Sequence, residues 1–307
     1  LITGGAGFIG SNLIGQLIDE SNQIIVLDNL INGDLKNIEK YKEFNNFKFV
    51  EHDIQESIYF DEKIDYVVHL ASCASPKAYA KYPINTLKSG SIGTINALGI
   101  SKYHNAKFFL ASTSEIYGDP EISPQNEEYW GNVNTLGPRS MYDESKRFAE
   151  SATHSYITTH NLNGSIARIF NTYGPNMQID DGRVVTNFIY QALKGKEITI
   201  YGNGEQTRSF SYIEDTLDGI LKIIHHEESD VFNIGNDNEV TIKYLAEKII
   251  ELTNSNSKIE YHELPINDPK QRKPDLTKAK ELLNYKPKTS LEDGLKLTID
   301  WISANYK

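Results

Sequence analysis

The chain has 307 residues, which allows about two domains, and 39% of its residues are apolar, enough for full-sized cores. A net charge of −11 argues against a nucleic-acid scaffold, because no basic stripe offsets phosphate repulsion, although a few arginines can still bind a phosphorylated small molecule. The single cysteine excludes an internal disulfide, and no Cys/His cluster has the spacing of a metal site. No apolar run approaches the ~20 residues that span a bilayer. We therefore expect a cytoplasmic protein with no metal, membrane or nucleic-acid partner.

A glycine-rich turn lies near the start of the chain. Residues 1–3 are typical of the end of a strand, the sequence GGAGFIG follows at positions 4–10, and apolar residues then recur at helical spacing. Glycines permit a tight turn and let backbone amides approach a pyrophosphate, whose charge a helix N-terminus favours. The pattern predicts a strand, a phosphate-binding turn and a helix, although glycines alone are equally compatible with a structural turn.

A carboxylate ends the second predicted strand. Residues 23–27 are apolar and lead to Asp28, at the distance from the glycines where a dinucleotide fold places the carboxylate that holds the adenosine ribose. A carboxylate there repels a 2′-phosphate, and no Arg or Lys follows until Lys36. The pattern therefore favours NAD over NADP, and the alternative for Asp28 is an ordinary turn residue.

Three further strands should end at the same edge of the sheet. Residues 47–51 lead to Asp53-Ile54, a plausible adenine contact, and the nearly all-apolar residues 65–71 lead to Ser72 beside the cofactor. Residues 106–111 deliver Thr113 at their carboxyl end. A Thr hydroxyl at that edge can hydrogen-bond a substrate oxygen, and the alternative is a Ser/Thr turn.

Tyr142 and Lys146 lie four residues apart on a predicted helix, so both project from one face. The helix is expected to include Pro138 in its first turn. A phenol has a pKa near ~10, and a neighbouring ammonium favours its anion, so the pair can act as a general base on an alcohol. Alone, such a spacing is more often an ordinary helix surface; the glycine turn and Thr113 favour catalysis. We expect NAD to be contacted by Gly4, Gly7, Phe8, Ile9, Gly10, Asp28, Asn29, Asp53, Ile54, Leu70, Ala71, Ser72, Tyr142, Lys146 and Ile169.

The alternation of strands and helices to about residue 170 predicts a Rossmann-type, doubly wound parallel α/β sheet. Beyond it, short mixed elements predict a smaller α+β C-terminal substrate domain. We expect an NAD-binding domain at 1–170, with a returning segment near 209–235, and a substrate-binding domain at 171–307. Residues 119–137 lack a period, which is typical of a lid, a binding loop or disorder.

Together, the glycine turn (T-G-x-x-G-x-x-G at 3–10), Asp28, Thr113 and Tyr142-x-x-x-Lys146 resemble the extended short-chain dehydrogenase/reductase family, the NAD-dependent nucleotide-sugar epimerases and dehydratases, over essentially the whole chain. Further stretches resemble the UDP-glucuronate decarboxylases (UDP-xylose synthases) within it: ASPxxY at 74–79, ASTSEIYGDP at 111–120, YWGNVN at 129–134, GPR at 137–139, RIFNTYGP at 168–175, DGRVV at 181–185 and QTRSF at 206–210.

The resemblance implies a role for each matched residue. Tyr142 would be the base, Lys146 would lower its pKa and hold the nicotinamide ribose, and Thr113 would steady the sugar's 4-hydroxyl. Glu115 and Arg272 resemble an additional catalytic pair of the decarboxylases. For each arginine, a solvated loop charge is the alternative. The substrate would be held by Ser75, Tyr79, Asn171, Arg183, Asn187, Tyr201 and Arg208.

The implied reaction is NAD-dependent decarboxylation of UDP-glucuronate to UDP-xylose through a 4-keto intermediate, with NAD regenerated and no metal. A 4,6-dehydratase is one alternative, but it needs an acid that protonates a leaving hydroxyl, and Ser114 occupies the position of that acid. A 4-epimerase is a second alternative, which the presence of Glu115 disfavours because an epimerase does not need it. A third is a non-catalytic NAD-responsive protein, which the presence of Tyr142 and Lys146 disfavours. The family also implies a homodimer through the helices at about 84–104 and 138–158.

Three positions depart from the decarboxylase pattern, which has Pro at Cys73, Gly at Ser145 and Arg at Asn176. None belongs to the Thr/Tyr/Lys set. Because Cys73 lies just before the ASPxxY stretch, its change bears on the sugar pocket, and therefore on substrate identity more than on reaction class.

Overall fold

A computed structural model describes residues 1–19, 21–179, 181–263 and 271–306. In this part of the chain the strands are β1 (Ile2–Thr3), β2 (Ile24–Asp28), β3 (Phe47–Glu51), β4 (Tyr66–His69), β5 (Lys107–Thr113), β6 (Gly164–Ile169), β7 (Thr172–Tyr173), β8 (Ile198–Tyr201), β9 (Thr207–Ser209), β10 (Ser211–Tyr212), β11 (Val231–Ile234), β12 (Glu239–Thr241) and β13 (Ile259–His262). The α-helices are α1 (Phe8–Leu17), α2 (Pro76–Lys81), α3 (Pro83–Lys88), α4 (Thr94–His104), α5 (Ser140–His160), α6 (Val184–Leu193), α7 (Ile213–His225), α8 (Ile242–Leu252), α9 (Thr277–Leu283) and α10 (Leu291–Asn305). None of these helices is both long and apolar enough to cross a membrane.

A seven-stranded parallel sheet organises the chain, with the strand order β11-β6-β5-β4-β1-β2-β3. The order reverses at β1, because β2 and β3 extend to one side of it while β4, β5 and β6 extend to the other. Open parallel sheets bind ligands at such a switch point, outside the carboxyl ends of the strands. The predicted Rossmann-type sheet is confirmed, and its edge strand β11 comes from the expected returning segment.

Alternate residues of the strands pack helices against both faces of the sheet. Phe108 of β5 lies in an apolar cluster with Leu98 of α4 and Ala149 of α5, whereas Phe109 lies in a second cluster with Leu13 of α1. Their opposite directions follow from the two-residue period of a strand. All five are at most 2% exposed, and burying a side chain of the size of Leu or Phe stabilises the fold by ~1.5–3 kcal/mol.

Short paired strands and helices follow β6. β7 pairs in parallel with β10, β8 in parallel with β13, and β9 antiparallel with β12. The helices α6, α8 and α10 pack against one another. These mixed elements agree with the α+β region predicted after residue 170, from which α7 and β11 return to the main sheet. The division into two domains at residue 170 stays a prediction.

The helices beside the candidate tyrosine differ from their predicted bounds. α5 begins two residues after Pro138, so this proline lies outside the helix. The helix expected over 84–104 is α3 and α4 joined by a π-helical turn at Ser89–Gly93. A Cβ added at Gly90 in that turn would lie 2.5 Å from the Cβ of Ser145 on α5. The glycine therefore permits a close approach of the turn to α5 that a side chain would prevent.

Candidate active site

A cleft of about 630 Å³ follows the carboxyl edge of the sheet at the switch point. Most of the predicted site residues line it: Gly4, Gly7, Phe8, Ile9, Gly10, Asp28, Asn29, Ile54, Leu70, Ala71, Ser72, Tyr79, Thr113, Glu115, Tyr142, Lys146, Ile169, Asn171, Arg183, Tyr201, Arg208 and Arg272. Within the described ranges, no group of three or more His, Cys, Asp or Glu side chains could hold a metal ion.

Three predicted site residues lie outside this lining. Asp53 accepts a hydrogen bond from the Asn29 side chain at 3.0 Å, so it bears on a cleft residue indirectly. Ser75 caps the N-terminus of α2, where its Oγ accepts from the N–H of Ala78 at 3.3 Å. Asn187 lies half-buried on α6. Direct contact of these three with a ligand stays a prediction.

The glycine turn packs against the strand ends with no space for side chains. Gly4 has a φ of +71°, and a Cβ there would lie 2.7 Å from backbone atoms of Ala71. A Cβ at Gly10 would lie 2.6 Å from the carbonyl oxygen of Gly4. Since α1 starts at Phe8, its first backbone N–H groups and the positive end of its dipole lie at the cleft. The turn is therefore suited to a bound pyrophosphate.

Asp28 ends β2 at the cleft with its carboxylate held by the backbone. Its Oδ2 accepts from the N–H of Ala6 at 3.0 Å and its Oδ1 from the N–H of Leu30 at 2.9 Å. Desolvation raises the pKa of Asp28, and the two hydrogen bonds act in the opposite direction. The loop after β2 and the glycine turn are thus tied to one carboxylate.

Tyr142 projects from α5 beside Thr113 and Lys146. Thr113, at the end of β5, lines the cleft with Tyr142, and its side chain acts to lower the pKa of that phenol. The ring of Tyr79 stacks on that of Tyr142 with centroids 5.3 Å apart. The Nζ of Lys146 lies 5.9 Å from the Tyr142 ring centroid and donates to the carbonyl oxygen of Ala111 at 2.8 Å. The end of β5 therefore positions both the phenol and the amine.

Burial shifts the pKa values of both groups. It raises the pKa of Tyr142 well above the ordinary value, and the side chain of Thr113 acts in the opposite direction. It lowers the pKa of Lys146 to about 8, while Glu150 acts to raise it. Desolvation is the largest influence on the pKa of Tyr142 in this structure, and the role of Lys146 in lowering that pKa stays a prediction. A positive charge bound in the cleft would favour the phenolate.

A carboxylate paired with two arginines lies in the same cleft. The Oε2 of Glu115 is 2.8 Å from Nη2 of Arg139 and 3.1 Å from Nη2 of Arg272. Arg272 also donates from Nη1 to the carbonyl oxygen of Ser114 at 2.5 Å, and its side chain is 2% exposed against 24% for Arg139. Desolvation acts to raise the pKa of Glu115, but the charges of Arg272 and Arg139 outweigh it and the pKa lies below its ordinary value.

Asp143 adds a second buried carboxyl group to this cluster. It follows Tyr142 on α5, is 7% exposed, and its Oδ1 has no hydrogen-bond partner among the described residues. Desolvation and then repulsion by Glu115 raise the pKa of Asp143 to about 7, against the attraction of Arg139 and Arg272. Below that pH, Asp143 keeps its proton and adds no negative charge beside Glu115, Arg139 and Arg272.

The remaining predicted substrate residues come from the α+β region. Arg183 precedes α6, where its guanidinium donates to the carbonyl oxygen of Ala74 at 3.2 Å and pairs with the Asp181 carboxylate at 3.3 Å. Arg208, on β9, is 9% exposed, whereas Tyr201, at the end of β8, is 48% exposed. Two cations and an exposed ring suit a diphosphate and a nucleobase.

The positions that depart from the decarboxylase pattern lie at or near the cleft. Cys73 and Asn176 line it, and Cys73 is 3% exposed in an apolar cluster with Tyr79 and Tyr142. Ser145 is buried on α5. The departure at Cys73 therefore bears on the surroundings of the two stacked tyrosines.

Arg139 and Asp143 belong to the cluster although the sequence patterns assign neither a role. A signal exists for Arg139, which lies three residues before Tyr142 and so close to it at the start of α5. Asp143 carries no such signal, because Glu115 and Arg272, whose charges act on it in the fold, are remote from it in sequence.

Comparisons with known proteins agree with this geometry. The family model described as GDP-mannose 4,6 dehydratase matches residues 1–298. UDP-glucuronic acid decarboxylase 5 of Arabidopsis thaliana is 48% identical over 298 residues, covering 97% of this chain and 87% of that protein. The structure of UDP-glucose 4-epimerase from Thermotoga maritima with UDP-glucose has a TM-score of 0.92 and 30% identity, covering 100% of this chain and 99% of that chain. UDP-glucuronic acid 4-epimerase from Bacillus cereus, in complex with UDP-glucuronic acid and NAD, has a TM-score of 0.89 and 28% identity over 99% of both chains.

Proposed function

We propose that this chain, which belongs to the NAD-dependent nucleotide-sugar epimerase/dehydratase family, decarboxylates UDP-glucuronate to UDP-xylose with NAD as its cofactor. The observation that carries the proposal is the pair of Glu115 and Arg272, 3.1 Å apart in the cleft that also holds Tyr142 and Thr113. This is the set expected of a decarboxylase, in a chain 48% identical to a UDP-glucuronic acid decarboxylase.

The cleft has the groups that NAD requires. The glycine turn leaves backbone N–H groups open to a pyrophosphate, and the carboxylate of Asp28 suits ribose hydroxyls. The Oγ of Ser72 is buried with no hydrogen-bond partner in the described part of the chain, and such atoms normally have one. NAD would be held by these residues and by Lys146. When bound, it supplies a reversible hydride acceptor for the C4 of the sugar.

Tyr142 takes the proton of the C4 hydroxyl in this proposal, and Thr113 hydrogen-bonds the same oxygen. Both side chains line the cleft, and Thr113 acts on the pKa of the Tyr142 phenol, which supports a shared oxygen site. Because burial raises the pKa of Tyr142, the phenol acts as a base only in the loaded cleft, where positive charge lowers its pKa. Lys146 contributes its ammonium beside the ring.

Decarboxylation follows from the position of the carboxyl group. Once C4 is a ketone, the carboxylate on C5 is β to it, so loss of CO₂ leaves the electron pair as an enolate over C5, C4 and O4. The hydroxyls of Tyr142 and Thr113 stabilise the negative oxygen. A proton then adds at C5, and reduction of C4 completes UDP-xylose. We assign the nucleotide diphosphate to Asn171, Arg183, Tyr201 and Arg208, with Ser75, Tyr79 and Asn187 nearby.

Incubation of the protein with UDP-glucuronate and NAD tests this function. We expect CO₂ and a UDP-pentose by mass spectrometry, with the xylose configuration by NMR. An unchanged mass with inverted C4 would identify a 4-epimerase, and loss of water from UDP-glucose would identify a 4,6-dehydratase. Either result, or no product from UDP-glucuronate, would overturn the decarboxylase assignment.

We also infer a homodimer through α3, α4 and α5. These helices and the turn between α3 and α4 expose Ile84, Leu87, Ile92, Ile95 and Phe148, by 60, 38, 46, 38 and 45%. Rows of large exposed apolar side chains mark association surfaces, and a second copy would cover them. Sedimentation of the protein and of its Ile92→Lys variant should give a dimer and a monomer. A monomeric parent protein would contradict the inference.

A further inference from the structure

Resting on the function proposed above, we propose that Arg139 binds the carboxylate of the sugar substrate and so selects a uronate over a neutral hexose. The cleft contains two arginines at the sugar end, and the structure distinguishes them. Arg272 belongs to the expected catalytic pair, whereas Arg139 lies in the GPR stretch at 137–139, to which the sequence patterns assign no role.

The first observation is that both arginines converge on one oxygen atom. The Oε2 of Glu115 lies 2.8 Å from Arg139 and 3.1 Å from Arg272. A guanidinium has five N–H donors in a planar fork that matches the two oxygens of a carboxylate. Arg139 therefore has the geometry to pair with a second carboxylate, beside Glu115 or in its place.

The second observation is that the two arginines differ in access. The side chain of Arg272 is 2% exposed and its Nη1 donates to the carbonyl of Ser114, so moving it would leave a buried acceptor without its donor. The side chain of Arg139 is 24% exposed and lines the cleft. A ligand can thus reach Arg139 with less rearrangement of the protein.

The third observation is the position of Arg139 relative to the oxidised carbon. Its backbone carbonyl accepts the N–H of Tyr142 at 3.0 Å, at the start of α5. The charge of Arg139 also acts on the phenol of Tyr79, whose ring stacks on Tyr142 with centroids 5.3 Å apart. Its guanidinium is therefore close to the tyrosine pair. The C5 that bears the carboxylate is bonded to C4, so a sugar whose O4 meets Tyr142 brings its carboxylate into the same part of the cleft.

The fourth point is the chemistry of the two ligands. A uronate brings a carboxylate that the guanidinium of Arg139 can bind with a charge-assisted, bidentate pair of hydrogen bonds, whereas a neutral hexose has only a hydroxyl group at C6. Charge-assisted hydrogen bonds are roughly twice as strong as neutral ones, so Arg139 discriminates between the two substrates.

Binding of UDP-glucuronate and of UDP-glucose to the NAD-loaded protein, measured by calorimetry, tests the assignment. The Arg139→Gln variant should bind UDP-glucuronate about 10- to 100-fold more weakly, because it loses hydrogen bonds between charged groups. Its affinity for UDP-glucose should be unchanged. Arg139→Lys keeps the charge and should recover part of the loss. Lys42→Gln, which removes a positive charge at an exposed position outside the cleft lining, is the control and should bind both ligands as the parent protein does.

The two ligands separate a recognition role from a structural one. Equal weakening of both by Arg139→Gln, or no weakening of UDP-glucuronate, would overturn the assignment. If the parent protein gives no CO₂ but still loses UDP-glucuronate selectively in Arg139→Gln, the carboxylate site stands and only the proposed reaction fails. If the parent protein decarboxylates and Arg139→Gln binds both ligands normally, the proposed reaction stands and the carboxylate site fails.

Discussion

The two ends of the cleft are built in different ways. The dinucleotide end is made from backbone: the glycine turn at 4–10 is contiguous, and its shape follows from contacts of Gly4 and Gly10 that leave no room for a Cβ. The sugar end is made from side chains of three separate segments, which bring together Glu115, Arg139 and Arg272. One end is fixed by local sterics, and the other by long-range pairing of buried charges.

This difference determines how each end should respond to substitution. A steric turn tolerates glycine alone, so a single methyl group disturbs it whatever the pH. A charge cluster depends on burial, on remote contacts that hold its arginines, and on the protonation of Asp143. Graded and pH-dependent effects are therefore expected at the sugar end.

The largest effect is expected from Tyr142→Phe, at the junction of the two ends. Loss of the general base should lower kcat by about 10³-fold, within the usual range for such groups. NAD and UDP-glucuronate binding should persist, because the ring and its stacking on Tyr79 remain. Turnover and calorimetry measure the two effects. Tyr244→Phe, at an exposed position on α8, is the control, and retained turnover in Tyr142→Phe would remove the phenol from the chemistry.

Gly10→Ala should damage the dinucleotide end selectively. Its Cβ would lie 2.6 Å from backbone atoms of Gly4 and Gly5. Overpacking costs about 1–3 kcal/mol, so NAD affinity should fall by about 10- to 100-fold. Fluorescence titration with NADH measures it. Gly164→Ala is the matched control, because its Cβ would make ordinary contacts of 3.4 Å or more at the opposite edge of the sheet. Equal NADH affinity in both variants would show that the close backbone contacts of Gly10 are not needed for cofactor binding.

Gln125→Ala should loosen the sugar end from a distance. The fully buried Gln125 accepts the N–H of Lys273 at 3.0 Å through its side chain, next to Arg272. Leaving that donor without an acceptor should lower the free energy of unfolding by about 1–3 kcal/mol and reduce kcat, with NADH affinity unchanged. Denaturant unfolding and turnover measure these effects, with exposed Gln23→Ala as control. If NADH affinity fell together with stability and kcat, the two ends of the cleft would not be structurally independent.

Asp143→Asn should produce the smallest effect, a change in pH dependence. Asp143 is faced by Glu115, Arg139, Arg272 and Glu144. As pH rises through about 7, its ionisation adds a negative charge beside Arg139, so UDP-glucuronate affinity should weaken by about two- to fivefold, as for a partly screened charge, and the variant should flatten this trend. UDP-glucose provides the uncharged comparison.

The same group makes a prediction for stability. Because burial raises the pKa of Asp143 from 3.8 to about 7, the folded chain keeps a proton that the unfolded chain loses between these values. The unfolding free energy should therefore fall as pH rises through that window, and Asp143→Asn should reduce the slope. Exposed Asp34→Asn is the control, and an unchanged slope in Asp143→Asn would place the titration elsewhere.

The sequence predicts the dinucleotide end better than the sugar end for a physical reason. Strand periodicity, the glycines and Asp28 are local signals, and the Rossmann sheet they predict is confirmed. The π-helical turn at Ser89–Gly93 leaves no trace in periodicity, because it accompanies the packing of Gly90 against α5. The start of α5 after Pro138 is likewise set by tertiary structure. The catalytic roles, the homodimer and the cytoplasmic location stay predictions.

The contact of Arg272 with the end of β5 has a consequence for folding. Its guanidinium docks on Ser114 and Glu115 across sequence separations of 158 and 157 residues. Contacts between residues so far apart close slowly, so the sugar end should form after the glycine turn, whose contacts are local. During refolding, binding of NADH should therefore recover before turnover of nucleotide sugar.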